Sequence, residues 1–221
     1  MIVSFISLKG GVGKTTLANN LGAYLKRFYN YKVLIIDTNG IYSSNLIFLK
    51  DKNIFGDRLW NDIKILPFFH LRIYNGLPEN YEEDIKYLRR IYDVIIFDSF
   101  PSVNIISSIE KVSDINFLVL NPDLYSIYVN KKLYDNLNKE KVKIVLNKYD
   151  KSIDIDFIEE VFGKDIYSVI PYIKDLNNYQ FQYSPVAFYK ERSKALKYID
   201  ELAYLITGKR RKTSLLDFIF R

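Results

Sequence analysis

Residues 9–16 are Lys-Gly-Gly-Val-Gly-Lys-Thr-Thr, and their types and spacing are suited to holding phosphate. Gly10, Gly11 and Gly13 allow backbone N–H groups to turn toward phosphate oxygens, where a Cβ atom would clash. A helix that starts near Lys14 adds the positive end of its dipole. The segment therefore predicts a nucleotide-phosphate site rather than a glycine-rich turn that binds nothing.

Two polar side chains at the end of this loop supply the chemistry. Lys14 is placed to reach the β- and γ-phosphates, and the Thr15 hydroxyl is placed to ligate Mg²⁺. The common pattern G-x-x-x-x-G-K-[ST] requires a glycine at position 8, where the chain has Leu8. The pattern K-G-G-x-G-K-T-T instead fits at every position, so the loop is a phosphate loop with an additional lysine, Lys9.

Two carboxylates follow apolar runs that are typical of buried strands. Asp37 follows Val33–Ile36, and Asp98 follows Val94–Phe97. Ligands of doubly wound α/β sheets bind at the carboxyl ends of the strands, so both aspartates are expected to hold Mg²⁺, mainly through bound water. The alternative interpretation is a helix cap or a turn aspartate, which is common at such positions.

These residues must be positioned by alternating strands and helices. Apolar patterns predict strands at Ile2–Ser7, Val33–Ile36, Ile63–Leu66, Val94–Phe97, Ile115–Leu120, Val142–Leu146 and Ile166–Ile170, and helices at Lys14–Phe28, Glu82–Ile91, Ser126–Leu137 and Glu191–Ile206. The alternation predicts an α/β fold, with a doubly wound, mostly parallel sheet and helices on both faces. Because Gly208 is suited to end the last helix, we expect one domain at residues 1–208 and a tail at residues 209–221.

Composition narrows the class of protein. The chain has 221 residues, of which 48% are hydrophobic and 26% charged, as expected for one globular α/β domain. It has no cysteine, which excludes disulfides, iron–sulfur clusters and thiolate zinc sites. We see no secretory signal and no apolar run of about 20 residues, so we expect a cytoplasmic protein. The net charge of +6 permits an anionic partner.

Several segments together resemble the ParA/MinD family of deviant Walker A ATPases, over roughly residues 1–206. Lys9 marks the deviant Walker A phosphate loop, and Asp37 is similar to the switch I aspartate of the family. Further segments are similar to the Walker B and switch II region (residues 92–102), the segment after the next strand (121–126), the base-recognition motif (147–150), the adenine-packing turn (170–172) and the C-terminal region (184–186 and 193–195).

The resemblance implies a P-loop ATPase that uses ATP and Mg²⁺ and forms an ATP-sandwiched homodimer. It implies that Lys9 crosses the dimer interface to the partner's nucleotide. The implied nucleotide-binding residues are Gly10, Gly11, Val12, Gly13, Lys14, Thr15, Thr16, Asn147 and Pro171, and the implied metal-binding residues are Thr15, Asp37 and Asp98. Hydrolysis in the family is slow, and the resemblance implies that a small DNA-binding adaptor protein stimulates it.

One position departs from the family. Switch I usually has Asp-x-Asp, whose second aspartate helps to orient the attacking water, and here that position is Asn39. An amide cannot accept the proton of the water and carries no charge. Phosphoryl transfer depends mainly on positioning and charge stabilisation, and GTPases align their water with a glutamine amide. Asn39 therefore leaves two interpretations open, a slow ATPase and a nucleotide-binding scaffold with little or no hydrolysis.

Asn147, which follows a buried strand, is the candidate residue for recognising the nucleotide base. Its amide could pair with the adenine edge as donor and acceptor, although an asparagine in a turn after a strand is also common. Residues 147–150 also have the form of the GTPase motif N-K-x-D, so these four residues alone leave GTP open. The deviant phosphate loop favours ATP.

The tail combines charge and apolar side chains. The basic segment 209–212 is followed by Leu215, Leu216, Phe218, Ile219 and Phe220, which lie on shared faces of a helix. Such a segment is suited to anchoring a protein to an anionic membrane, as in MinD-type members. The alternatives are that the tail packs on its own domain, binds a partner protein, or contacts DNA phosphates as in ParA-type members.

The leading hypothesis is an ATPase for plasmid or chromosome partitioning or for intracellular positioning. We expect it to bind DNA without sequence specificity and to associate with the nucleoid. The first alternative is a MinD-like positioning ATPase that associates peripherally with the membrane through residues 209–221. The second is the nucleotide-binding scaffold that Asn39 suggests.

Overall fold

Strands and helices alternate along the chain in the computed structural model, which describes residues 1–39, 64–65, 71–75, 81–182 and 184–211. The strands are β1 (Ile2–Ile6), β2 (Val33–Asp37), β3 (Lys64–Ile65), β4 (Leu71–Asn75), β5 (Val94–Asp98), β6 (Ile115–Leu120), β7 (Val142–Tyr149) and β8 (Ile166–Pro171). The helices are α1 (Lys14–Tyr29), α2 (Tyr81–Ile91), α3 (Val103–Val112), α4 (Leu124–Tyr134), α5 (Ile155–Phe162), α6 (Lys174–Gln182), α7 (Val186–Tyr189) and α8 (Ala195–Thr207).

The strands form one sheet in the order β3-β4-β2-β5-β1-β6-β7-β8. Neighbouring strands are parallel, except that β3 runs antiparallel to β4. The chain leaves β1 toward β2 on one side and later continues through β6 on the other, so the sheet is doubly wound. Because parallel strands point their carboxyl ends the same way, the segments after β1, β2 and β5 meet at one edge.

Helices cover both faces of the sheet, and the alternation of side chains along β1 shows how. Val3 and Phe5 belong to a buried cluster with apolar side chains of α1 and α8. Ile2 and Ile6 point to the opposite face, where they pack in clusters with side chains of α2, α3, α4 and α5. Each of these strand residues is fully buried, as expected for strands covered on both sides. The predicted fold class is confirmed.

The sequence patterns did not predict β4, α3, α5, α6 or α7, and they predicted the wrong start for the last helix. It was predicted from Glu191, but α8 begins at Ala195 because α7 and a turn over residues 190–194 precede it. Its end was predicted correctly, because Gly208 adopts a left-handed φ of 64° and donates its N–H to the Tyr204 carbonyl over 2.9 Å. Among the described helices, none is long and apolar enough to cross a membrane.

Candidate phosphate and metal site

The loop between β1 and α1 owes its shape to two glycines. Gly11 has a φ of 73° and Gly13 a φ of 104°, conformations that strain any residue with a side chain. A Cβ atom on Gly13 would also lie 2.3 Å from Nδ2 of Asn147. Gly10 has no such φ, and a Cβ atom there would meet no other protein atom within 4 Å. The need for a glycine at position 10 therefore stays a prediction about a bound phosphate.

A buried asparagine of α4 fixes the start of the loop. The Asn130 side-chain oxygen accepts hydrogen bonds from the Ser7 hydroxyl over 3.1 Å and the Leu8 N–H over 2.9 Å, while its amide donates to the Ser126 carbonyl over 2.8 Å. The N–H of Lys9 donates in turn to the Ser7 hydroxyl over 3.2 Å. Asn130 was not predicted as a site residue, and it lies one helical turn after Ser126, the last residue of the segment 121–126 that resembles the family.

Lys14 occupies the first turn of α1, and only 7% of its surface is exposed. Its ammonium donates to the Lys9 carbonyl over 3.3 Å. Burial lowers the pKa of Lys14, and the Asp98 carboxylate partly opposes that effect. A buried cation beside a loop of backbone amides creates a local demand for an anion, which a phosphate group satisfies.

Asp37 and Asp98 lie opposite each other in the register of β2 and β5, and both are fully buried. The Thr15 hydroxyl donates to Oδ2 of Asp98 over 2.6 Å, while Oδ1 of Asp98 is buried and has no hydrogen-bond partner. Burial, followed by repulsion from the Asp37 carboxylate, raises the pKa of Asp98 to about 8. A cation bound here would relieve both effects.

The three predicted metal-binding residues fit Mg²⁺ by their chemistry. A hydroxyl and two carboxylates are hard oxygen ligands, and Thr15 keeps lone pairs for a metal while its proton bonds to Asp98. Among the described residues, no three His, Cys, Asp or Glu side chains form a metal-binding group. Proteins usually hold Mg²⁺ through one or two carboxylates, nucleotide phosphates and water, and Asp37 and Asp98 would supply the carboxylates.

Asn39 links the two carboxylates. Its backbone N–H and its Nδ2 each lie 2.9 Å from Oδ1 of Asp37, and the same Nδ2 lies 3.1 Å from Oδ2 of Asp98. Between them, Thr38 donates its N–H to the Asp98 carbonyl over 3.0 Å and accepts the Phe100 N–H over 2.8 Å. Asp37 thus accepts a local N–H as a turn aspartate does, and the segments after β2 and β5 are joined directly.

The segment after the core of β7 contacts the phosphate loop from the other side. Asn147 donates its amide to the Val12 carbonyl over 2.7 Å, and the Lys148 ammonium donates to the Gly11 carbonyl over 2.9 Å. Pro171, at the end of β8, pairs in register with Tyr149. The structure therefore brings Asn147 to the loop and places Pro171 on the neighbouring strand. The Lys148 contact was not predicted.

The Lys9 side chain contacts residues of its own chain. Its ammonium is 2.5 Å from Oδ2 of Asp123 and 6.0 Å from the ring centroid of Tyr125, and its side chain is 25% exposed. Asp123 also caps α4 by accepting the Ser126 N–H over 2.8 Å. Lys9 must leave Asp123 to take part in a site on a second chain. Thr16, the last residue of the motif, contributes its carbonyl to the Asn20 amide over 2.8 Å.

Residues 209–211, which we call the C-terminal strap, pack on the far end of α1. The Arg211 guanidinium lies 3.9 Å from the Phe28 ring centroid, and that of Arg210 lies 4.8 Å from the Tyr204 ring. Asp200 accepts hydrogen bonds from the Arg211 N–H over 3.1 Å and the Tyr24 hydroxyl over 2.8 Å. The alternative that the tail packs on its own domain therefore holds for residues 209–211. Residues 212–221, with the predicted membrane-binding side chains, lie outside the described residues.

The chain is similar to known proteins along most of its length. The CobQ/CobB/MinD/ParA nucleotide-binding domain family matches residues 3–186. A ParA family protein of Mycoplasma pneumoniae is 26% identical over 179 residues, which cover 65% of this chain and 66% of that protein. An uncharacterized ATP-binding protein of Methanocaldococcus jannaschii is 26% identical over 92% of this chain and 84% of its own length.

Solved structures give the same fold. The septum site-determining protein MinD of Pyrococcus horikoshii, complexed with Mg-ADP, superposes with a TM-score of 0.75. The alignment covers 93% of this chain and 95% of that one at 23% identity, a level that establishes the fold alone. The family match over residues 3–186, with the phosphate loop and both strand-end carboxylates inside it, establishes the relationship. This chain belongs to the CobQ/CobB/MinD/ParA family of nucleotide-binding domains.

Proposed function

We propose that the protein is an ATP-dependent switch that binds Mg²⁺-ATP, forms a homodimer around the nucleotide and hydrolyses it slowly. One observation carries the proposal: Lys14, Thr15, Asp37 and Asp98 meet beside a glycine-shaped loop at one edge of the sheet. The loop amides and Lys14 would hold the phosphates, and Thr15, Asp37 and Asp98 would hold Mg²⁺, which neutralises phosphate charge when bound.

Adenine is the proposed base. The Asn147 amide nitrogen donates to the Val12 carbonyl over 2.7 Å, so we propose that its side-chain oxygen is the group that contacts a base. That oxygen can accept from the adenine amino group but cannot pair with the carbonyl that guanine carries at the same place. A competition titration tests this: we expect ATP to displace a fluorescent ADP analogue at concentrations at least about tenfold lower than GTP. Equal displacement by GTP would contradict it.

Hydrolysis separates the switch from the scaffold. The Asn39 amide can orient water but cannot take its proton, so we expect slow phosphate release that increases in Asn39→Asp while ATP affinity changes little. The measurement is steady-state phosphate release with Mg²⁺-ATP. No release from the wild type, with or without a partner, would favour the scaffold. We also propose that a small DNA-binding adaptor protein accelerates this step.

DNA is the proposed surface for the dimer. Lys190, Arg192, Lys194 and Lys197 are exposed in the turn before α8 and in its first turn. Lys190 pairs with Asp175 over 2.9 Å, and Glu191 pairs with Arg27. Such a cluster favours phosphate contacts that do not depend on sequence. This cluster and the net charge of +6 support a partitioning or positioning role for the switch.

Salt dependence tests the DNA surface. Removing the charges of Lys194 and Lys197 should weaken binding of the ATP-bound protein to unrelated duplexes equally. It should reduce the slope of log K against log salt by about 1.8 for each protomer that contacts the DNA. A variant that removes Lys86 and Lys111, which are exposed on α2 and α3, is the matched control and should keep the slope. Loss of binding to one duplex sequence only would contradict the proposal.

The second candidate surface is an anionic membrane, supported by the apolar side chains that follow the strap in sequence. The strap itself is packed on α1 and α8, so the useful deletion removes residues 212–221 and keeps residues 209–211. If the tail anchors the protein, wild type with ATP sediments with anionic liposomes, and both the deletion and Phe218→Glu release it. If the wild type stays in the supernatant with ATP, the membrane is not the surface to which this protein binds.

A further inference from the structure

Asn39 occupies the space between the two carboxylates of the site. One nitrogen, Nδ2, lies 2.9 Å from Asp37 Oδ1 and 3.1 Å from Asp98 Oδ2, and the backbone N–H of Asn39 adds a second bond to Asp37. An amide nitrogen carries partial positive charge and donates two hydrogen bonds. It therefore does for these two buried acids part of what a cation would do.

We infer that Asn39 competes with a divalent cation for Asp37 and Asp98: its amide donates to both side chains and would have to give up these bonds when the cation binds there. The inference rests on the proposed Mg²⁺ site. A cation that took Asp37 Oδ1 and Asp98 Oδ2 as ligands would have to displace the hydrogen bonds that Nδ2 donates to these two atoms. Oδ1 of Asp98, buried and without a partner, shows that the amide satisfies the acids incompletely.

Thr15 does not compete in the same way. Its hydroxyl donates to Asp98 Oδ2 over 2.6 Å, and the same oxygen retains lone pairs for a metal. The Asn39 amide nitrogen has no lone pair to offer, so it can only block. An aspartate at this position, which the ParA/MinD resemblance leads one to expect, would have no N–H donor in its side chain and would add a third carboxylate. The asparagine thus gives Asp37 and Asp98 a hydrogen-bond donor from this chain itself.

The decisive variant is Asn39→Ala, because it removes the amide without changing charge. Free Mn²⁺ is measured by electron paramagnetic resonance during titration of the ADP-bound protein, which avoids turnover. Competition predicts that Asn39→Ala binds Mn²⁺ about tenfold more tightly than wild type, since a bond to charged groups no longer has to be broken. Asn138→Ala, at an exposed position before β7, should match the wild type.

The opposite sign overturns the inference. Weaker Mn²⁺ binding in Asn39→Ala would make the Asn39 oxygen a metal ligand, and unchanged binding would make Asn39 a bystander. If wild type and variants all fail to take up Mn²⁺ with ADP, the proposed metal site itself is wrong, which is a separate result.

Thermal unfolding gives a second readout that does not depend on activity. In Asn39→Asp the three acids repel one another without metal, so its midpoint in EDTA should fall below that of wild type while Mn²⁺ restores it. The difference between the Mn²⁺ and EDTA midpoints should therefore widen in Asn39→Asp and stay as in wild type in Asn138→Asp. An equal difference in both variants would contradict competition.

Discussion

The two ends of α1 are built for different purposes. The helix has 16 residues, so its ends lie about 24 Å apart. At its first turn, the Lys14 ammonium is buried beside the buried carboxyl group of Asp98 from β5, and Oδ1 of Asp98 has no partner. At its last turns, Tyr24 and Phe28 pack with Asp200 and the C-terminal strap, where hydrogen bonds and a cation–π contact link the polar groups.

This difference indicates that the first turn of α1 contributes mainly to ligand binding and the strap end mainly to stability. Buried charges at the first turn destabilise the protein without a ligand, and they become favourable when phosphate and a cation arrive. At the strap end, Tyr24, Asp200 and Arg211 already have partners within the protein, and no ligand is needed to satisfy them. We therefore expect changes at the first turn to alter binding more than stability, and changes at the strap end to alter stability more than binding.

The largest effect is expected from Lys14→Ala. Removing the buried ammonium should lower ADP affinity by about 100-fold or more, because a charge-assisted contact to phosphate is lost. The free energy of unfolding of the nucleotide-free protein should change much less, because the desolvation cost of the ammonium and its attraction to Asp98 are removed together. The measurements are a nucleotide titration and urea unfolding.

The control for Lys14→Ala lies on the same helix. Lys26 is near its other end, and its ammonium bonds only to the exposed Asn30 among the described contacts. Lys26→Ala should keep wild-type nucleotide affinity. Equal losses of affinity in the two variants would show that α1 as a whole, rather than its first turn, determines binding.

The next effect concerns the loop. Gly13→Ala forces a side chain into a φ of 104° and against Asn147, which should lower the free energy of unfolding by about 2 kcal/mol or more. Gly10→Ala should leave stability unchanged but weaken nucleotide binding, if phosphate approaches the backbone there. Urea unfolding with nucleotide titration separates the two glycines. A destabilised Gly10→Ala variant would refute the distinction.

The smallest effect is expected at the strap. Asp200→Ala leaves the buried Tyr24 hydroxyl without its acceptor and releases the Arg211 N–H, which should lower the free energy of unfolding by about 1–2 kcal/mol. Nucleotide affinity should not change, because the site lies at the other end of α1. Glu83→Ala, an exposed acid of α2, is the stability control. A large loss of nucleotide affinity in Asp200→Ala would break the comparison between the two ends.

The first turn was predictable from sequence, and the strap end was not. The phosphate loop, Asp37 and Asp98 are recognisable because each is defined by a few neighbouring residues and the end of an apolar strand. The contacts of Asn130 with Leu8 and of Asp200 with Tyr24 join residues 122 and 176 positions apart. No local pattern specifies such pairs, because they follow from how the helices pack on the sheet.

Some local patterns were present but missed. Asp154 accepts the Asp156 N–H at the start of α5, and Gly163 ends that helix with a φ of 61°, which is a readable pair of helix-ending residues. The early start predicted for α8 has a different cause. The apolar and polar residues from 191 to 206 suggest one continuous helix, whereas residues 191–194 form a turn that contains buried Ser193 and the helix begins at Ala195.

The most direct test of the proposed switch is the assembly state of the protein with each nucleotide, measured by sedimentation velocity. Wild type should be a dimer with a non-hydrolysable ATP analogue and Mg²⁺, and a monomer with ADP. Lys9→Ala should bind the analogue and remain a monomer, while Lys131→Ala, which removes an exposed ion pair with Asp135, should dimerise as wild type does. Wild type that stays monomeric with saturating analogue, or a Lys9→Ala variant that dimerises normally, would contradict the account.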